Sequence, residues 1–168
     1  MRTLTDVVEC TRGVPYGRPQ SRTAVGVATE WRGTCSTKHA LLQAAALDLF
    51  PDIALRLAHR VYRVDPAEVA ARYGLEVARI VPAGGVVDVH TYALLERNGR
   101  TITIDVTFPG SPWDGASAMP LSCGQGQDFA AGEDPNATKA RLVAEYCNPD
   151  QREPFIRALS ELSRPSSI

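Results

Sequence analysis

The sequence predicts an α+β domain in which a cysteine-bearing central helix packs on an antiparallel sheet, with flanking helices. Three observations carry this expectation. The stretch Arg32-Gly33-Thr34-Cys35-Ser36-Thr37-Lys38-His39 runs straight into an apolar segment that lasts to Phe50, and a helix apolar on nearly every side is a buried one. Two alternating runs, 86–97 and 100–108, flank Asn98-Gly99, the strongest short-range hairpin signal. Segments 136–147 and 154–162 read as amphipathic helices.

A chain of 168 residues suits one domain, 1–168, long enough to bury a core. A net charge of -1 points away from nucleic acid and from anionic membranes, and no apolar run approaches a membrane span. The opening MRTLTDVVEC has no apolar core segment and carries Asp6 and Glu9, unlike a secretory leader, so the expected compartment is the reducing cytoplasm. Cys10, Cys35, Cys123 and Cys147 are widely spaced with no C-x-x-C pair, which argues against a disulfide framework and a zinc ribbon. No cofactor and no metal are expected.

Taken in order, residues 1–20 read as mostly loop after a short first element, given Gly13, Pro15, Gly17 and Pro19. Ser21 is the expected cap of a helix over 23–31, closed by Gly33. Thr34 suits the N-cap of the next helix. Cys35 then takes the first helical position, where the positive end of the helix dipole favours thiolate. Residues 53–64 alternate as a strand. Asp65, Pro66 and Gly74 bracket a short helix over 66–73. Residues 109–135, rich in Gly, Ser, Pro and Asp, read as one long loop and a candidate lid.

The hairpin supplies the second piece of chemistry. With Asn98-Gly99 as a two-residue turn, facing residues sum to 197, so Asp105 faces Tyr92 and is a diagonal neighbour of His90 on one face. Val89, Ala93, Leu95, Ile102, Ile104, Val106 and Phe108 form the opposite, core face. The mixed His90 face is expected to be covered by the cysteine helix at one end and open to a cleft at the other. Cys35 as nucleophile, His90 as base and Asp105 as orienter make a thiol acyl-transfer set. The Cys35 amide at the helix tip is a natural oxyanion donor. His39, one turn after Cys35 on the same helix face, is the rival base and suits a packing or capping role better. Asp88 is a rival orienter, beside His90 rather than across from it. A metal site of Cys35, His39 and His90 lacks a fourth ligand.

Thr34-Cys35 opening an apolar helix, Asp88-Val89-His90-Thr91-Tyr92 on a strand, and Asp105-Val106-Thr107-Phe108-Pro109 on the next together resemble the transglutaminase-like branch of the papain-like cysteine enzymes, in particular small bacterial members. The order Cys, His, Asp matches. Val106 replaces a proline common in that family's closing motif, and Tyr92 fills the aromatic place after the histidine. The resemblance implies the papain-like core fold, a thioester intermediate, and a peptide or amide-containing substrate handled by hydrolysis or acyl transfer. Because the family also contains inactive members, a non-catalytic binding module is the alternative. By the same resemblance Trp31 and Gln20 are candidates for the oxyanion site or the cleft, beside Tyr92. The arylamine acetyltransferases share the residue order but are longer and use acyl-CoA.

Overall fold

The computed structural model describes residues 3–162. Its elements are α1 (Leu4–Arg12), α2 (Ala24–Glu30), α3 (Cys35–Leu49), β1 (Ala54–Val64), α4 (Pro66–Tyr73), α5 (Leu75–Ala78), β2 (Val86–Arg97), β3 (Arg100–Ile104), β4 (Gly126–Ala130), α6 (Pro135–Tyr146) and α7 (Pro149–Leu162). The strands form one antiparallel sheet in the order β3-β2-β1-β4. The fold is therefore mixed α/β, with a four-stranded antiparallel sheet between helices.

The β2–β3 hairpin has the expected register, with Ala93 opposite Ile104 and Arg97 opposite Arg100. Asn98 and Gly99 both take positive φ, 53° and 71°, as a type I′ turn requires. Side-chain alternation then divides the core. On one face Leu55, Leu57, Ala93, Leu95, Ile102 and Ile104 pack with Leu42 and Ala46 of α3 and with Val7 and Val8 of α1. On the other, Tyr62, Val64 and Val86 pack with α4, α5 and α7 through Val69, Val77, Phe155, Ile156 and Leu159.

The end of β3 matters most for the site. The ladder stops at Ile104, so β2 from Val86 to Tyr92 pairs with β1 alone. The chain leaving β3 carries backbone groups that need new partners, and the first turns of α3 supply them. The Val106 amide donates to His39 Nε2 at 3.1 Å. The Thr107 carbonyl accepts from Lys38 Nζ at 2.9 Å. Thus α3 closes the edge that β3 vacates, and its tip reaches β2 there.

Lys38 is wholly buried. Its ammonium donates to the carbonyls of Arg12 (3.0 Å), Val14 (2.7 Å) and Thr107 (2.9 Å), one acceptor for each of its three donors. It ties the segment after α1 to the segment after β3. Lys38→Met is expected to destabilise the fold by roughly 3 kcal/mol, because three buried carbonyls lose their donor. A lowered urea midpoint measures it.

Several expectations are corrected. The cap of α2 is Thr23, whose hydroxyl accepts from the Gly26 amide, while Ser21 bonds to the Thr23 side chain. The helix α3 is not buried all round. Leu47 and Leu49 are exposed, and the buried positions cluster in the N-terminal half as Cys35, Thr37, Lys38, His39 and Leu42. Its body packs on the Ala93–Leu95 face of the hairpin rather than the His90 face, which α7 and its neighbours cover. The strand expected over 100–108 ends at Ile104. The helix expected over 154–162 starts at Pro149 and carries Pro154 inside it. Residues 109–135 contain β4 and are anchored: Trp113 and Met119 lie in the core, and the Met119 amide donates to the Thr103 carbonyl at 2.8 Å.

Candidate active site

Cys35 opens α3 behind the Thr34 N-cap, as the sequence predicts. The approach to it is fixed by Gly33, whose amide donates to the Pro15 carbonyl (3.1 Å) and whose carbonyl accepts from the Gly17 amide (3.1 Å). A Cβ on Gly33 would collide with the Lys38 side chain at 2.6 Å, so only glycine fits before the Thr34 cap.

His90 lies on β2 and is buried. Its Nε2 is 2.8 Å from Asp105 Oδ2. The carboxylate accepts two further amides, Thr107 N on Oδ1 at 2.9 Å and Ser122 N on Oδ2 at 2.7 Å. Because Nε2–H serves Asp105, the other ring nitrogen of His90 is the one left to act on Cys35, whose charge His90 stabilises. The structure thus brings Cys35, His90 and Asp105 together in the predicted order.

The electrostatics shift Cys35 and His90 in opposite directions. Burial opposes charge on Cys35, but Lys139, the His90 hydrogen bond and the His90 charge outweigh it and pull the thiol down to about 6. Burial also opposes charge on His90, and the adjacent Asp105 carboxylate overcomes it, raising the imidazole to about 10. Asp105 is itself desolvated, yet the His90 charge and hydrogen bond, with His39 nearby, hold it well below the usual carboxylate range. The opposite shifts, down for the thiol and up for the imidazole, favour a thiolate–imidazolium pair.

Lys139 on α6 was not singled out by the sequence. Its Nζ donates to Cys35 Sγ at 3.1 Å and to Thr91 Oγ1 at 3.2 Å. Thr91 is in turn 3.1 Å from His59 Nδ1, and His59 Nε2 is 3.0 Å from the Pro135 carbonyl. A carbonyl only accepts, so Nε2 carries the His59 proton and Nδ1 accepts from Thr91. Burial and Lys139 lower His59 to about 4, which keeps it neutral. His59 therefore positions Lys139 and anchors the start of α6, a partner the strand reading of residues 53–64 had no means of naming. Lys139→Met is expected to raise the Cys35 alkylation midpoint above about 6 without abolishing alkylation, since His90 still faces the sulfur. The pH profile of alkylation rate tests this.

The rivals fall into supporting places. His39 donates from Nδ1 to the Cys35 carbonyl (2.6 Å) and accepts from Val106 N at Nε2 (3.1 Å). With both nitrogens engaged and burial lowering it to about 4, it orients the tip of α3 on the Asp105 loop and is no base. Asp88 accepts from Arg152 Nε at 2.6 Å. Tyr92 stacks on His90, 6.4 Å between centroids and 9° between planes. Burial pushes the other two enclosed thiols up, Cys123 to about 12 and Cys147 to about 11.

A cleft of about 550 Å³ opens on Cys35, lined by Tyr16, Arg18, Lys139 and Arg152 among others. Trp31 and Gln20 do not line it. Trp31, in the left-handed region with φ 48°, borders a separate apolar groove between α1, α2 and α3, because the turn that ends α2 points it away from the cysteine. The Gln20 backbone amide donates to the Glu30 carboxylate (2.8–2.9 Å), which ties it to the end of α2, while its neighbours Pro19 and Arg22 line the cleft. No residue of 109–135 lines the cleft either, which removes the expected lid. That segment instead covers Asp105 through Ser122.

No family model matches the chain, and neither the curated proteins nor the solved structures contain a match. Among the described residues, no group of His, Cys, Asp and Glu could hold a metal ion, and no helix is long and apolar enough to cross a membrane.

Proposed function

We propose that the protein is a cysteine-dependent acyl enzyme with a papain-like, transglutaminase-type core, acting on an amide through a thioester. The observation that carries this reading is the arrangement at the α3 tip, where Asp105 hydrogen-bonds His90 and Lys139 donates to Cys35 Sγ.

In this mechanism the Cys35 thiolate attacks the amide carbonyl carbon. The oxyanion meets the Cys35 amide, one of the first-turn donors of α3 that have no acceptor inside the helix. The tetrahedral adduct collapses as the C–N bond breaks, and the His90 imidazolium gives its proton to the departing amine. Neutral His90 then takes a proton from water. The resulting hydroxide attacks the thioester carbonyl, the thiolate leaves, and the imidazolium is restored. Asp105 keeps the ring orientation and its charge through both halves. Water is the default acceptor, so hydrolysis is the favoured outcome, and an amine-incorporation assay separates it from transfer.

The test is direct trapping. Incubation with a panel of activated esters and amides is expected to give a mass increment on Cys35 equal to the acyl group and removable by hydroxylamine. Cys35→Ala is expected to give none. Adducts of equal yield in both proteins would overturn the proposal.

A further inference from the structure

The charges around the Cys35 cleft do not balance, and the imbalance has an address. Arg18, Arg22, Lys139 and Arg152 line it, against the two carboxylates Asp88 and Glu153. Three of the cations are committed. Arg18 pairs with Glu153 at 2.6 Å, and Arg152 with Asp88 at 2.6 Å and with Glu153 at 3.1 Å. Lys139 spends two of its three N–H bonds on Cys35 Sγ and Thr91 Oγ1, and its charge is matched by the thiolate. Arg22 makes no ion pair or hydrogen bond among the described residues, and it is exposed on the cleft wall. The lining also includes Tyr16, Val143 and Ile156.

Resting on the acyl-enzyme reading above, we infer that the cleft selects acyl donors that carry a carboxylate near the scissile amide, as in an acidic peptide, with Arg22 as the specificity-determining residue. The alternating Arg18–Glu153–Arg152–Asp88 row leaves the wall neutral apart from Arg22, so an incoming carboxylate meets one unpaired guanidinium and no unpaired carboxylate. One such fork suits a single carboxylate. Neutral donors lack this attraction, and cationic donors are repelled by it.

The test uses two probes with the same reactive carbon, N-bromoacetyl-glutamate amide and N-bromoacetyl-glutamine amide, on the intact protein. Cys35 alkylation is followed by peptide mass spectrometry. The glutamate probe is expected to react about two- to fivefold faster at low salt, the scale of one partly screened pair, with the advantage shrinking as salt is added. In Arg22→Gln, an exposed change that breaks no contact, the ratio is expected to fall to about one while the glutamine probe keeps its rate. Equal rates in the parent, or a preference that survives Arg22→Gln, would overturn the inference and leave the acyl-enzyme reading standing. Failure of both probes to modify folded Cys35, with reaction after unfolding in urea, would overturn that reading and the inference with it.

Discussion

Asp105→Ala is expected to cost the fold about 3–5 kcal/mol, the scale for breaking a buried charge pair, and to lower thiol reactivity at neutral pH in whatever folds. Asp105 is buried and accepts from His90, the Thr107 amide and the Ser122 amide. Truncation strands two backbone donors and leaves the His90 ring without the carboxylate that favours its charge. A loss of this size is a large part of the ~5–15 kcal/mol that holds a domain together, so a lowered urea midpoint should be evident. Asp105→Asn keeps an acceptor for an amide and separates the two effects. It is expected to recover much of the midpoint while the Cys35 thiol still titrates higher than in the parent, because a neutral amide no longer raises His90. The pH dependence has a definite sign. Asp105 is depressed in the fold, so its contribution is present above the ordinary carboxylate value near 3.8 and fades as pH falls below it. His90 is raised, so its contribution is complete below about 6.5 and is lost as pH rises through about 10.

His90→Ala is expected to lower turnover of any amide donor by about 10²–10⁴-fold, the range for a general acid–base group. Amides should suffer more than activated esters, since an amine leaving group needs the proton that His90 delivers. In the parent, the pH–rate profile is expected to rise with a midpoint near 6 as the thiolate forms and to fall near 10 as the imidazolium is lost. In His90→Ala the upper limb should vanish. A parent profile that keeps rising past pH 10 would show that no imidazolium is needed.

Much of this site was legible in the sequence because its parts are local. Thr34-Cys35 at a helix start follows from capping chemistry, and the His90–Asp105 diagonal follows from the Asn98-Gly99 turn, whose register the structure reproduces. What the sequence could not give is how far β3 pairs. Alternation continues to Phe108, yet the ladder stops at Ile104 because Val106 and Thr107 bond to His39 and Lys38 of α3 instead. That tertiary choice sets where the cysteine meets the histidine. Lys38 is a buried tie, which only the three carbonyls around it explain. Lys139 lies 104 residues from Cys35. Its one sequence signal, a lone lysine in the first turns of an amphipathic helix, is indistinguishable from an exposed residue. Trp31 and Gln20 are candidates only through the resemblance, and the structure takes each elsewhere, Trp31 by the left-handed turn that ends α2 and Gln20 by its bond to Glu30.

The most direct test of the central claim is the pH dependence of Cys35 alkylation by iodoacetamide, in the parent and in His90→Ala. A thiolate held by Lys139 and the His90 imidazolium predicts a midpoint near 6 in the parent, well below the ordinary thiol value of about 8.5, and a higher midpoint in the variant. An ordinary midpoint in both proteins, or a Cys35 that reacts only after unfolding, would contradict this arrangement and favour a non-catalytic binding module.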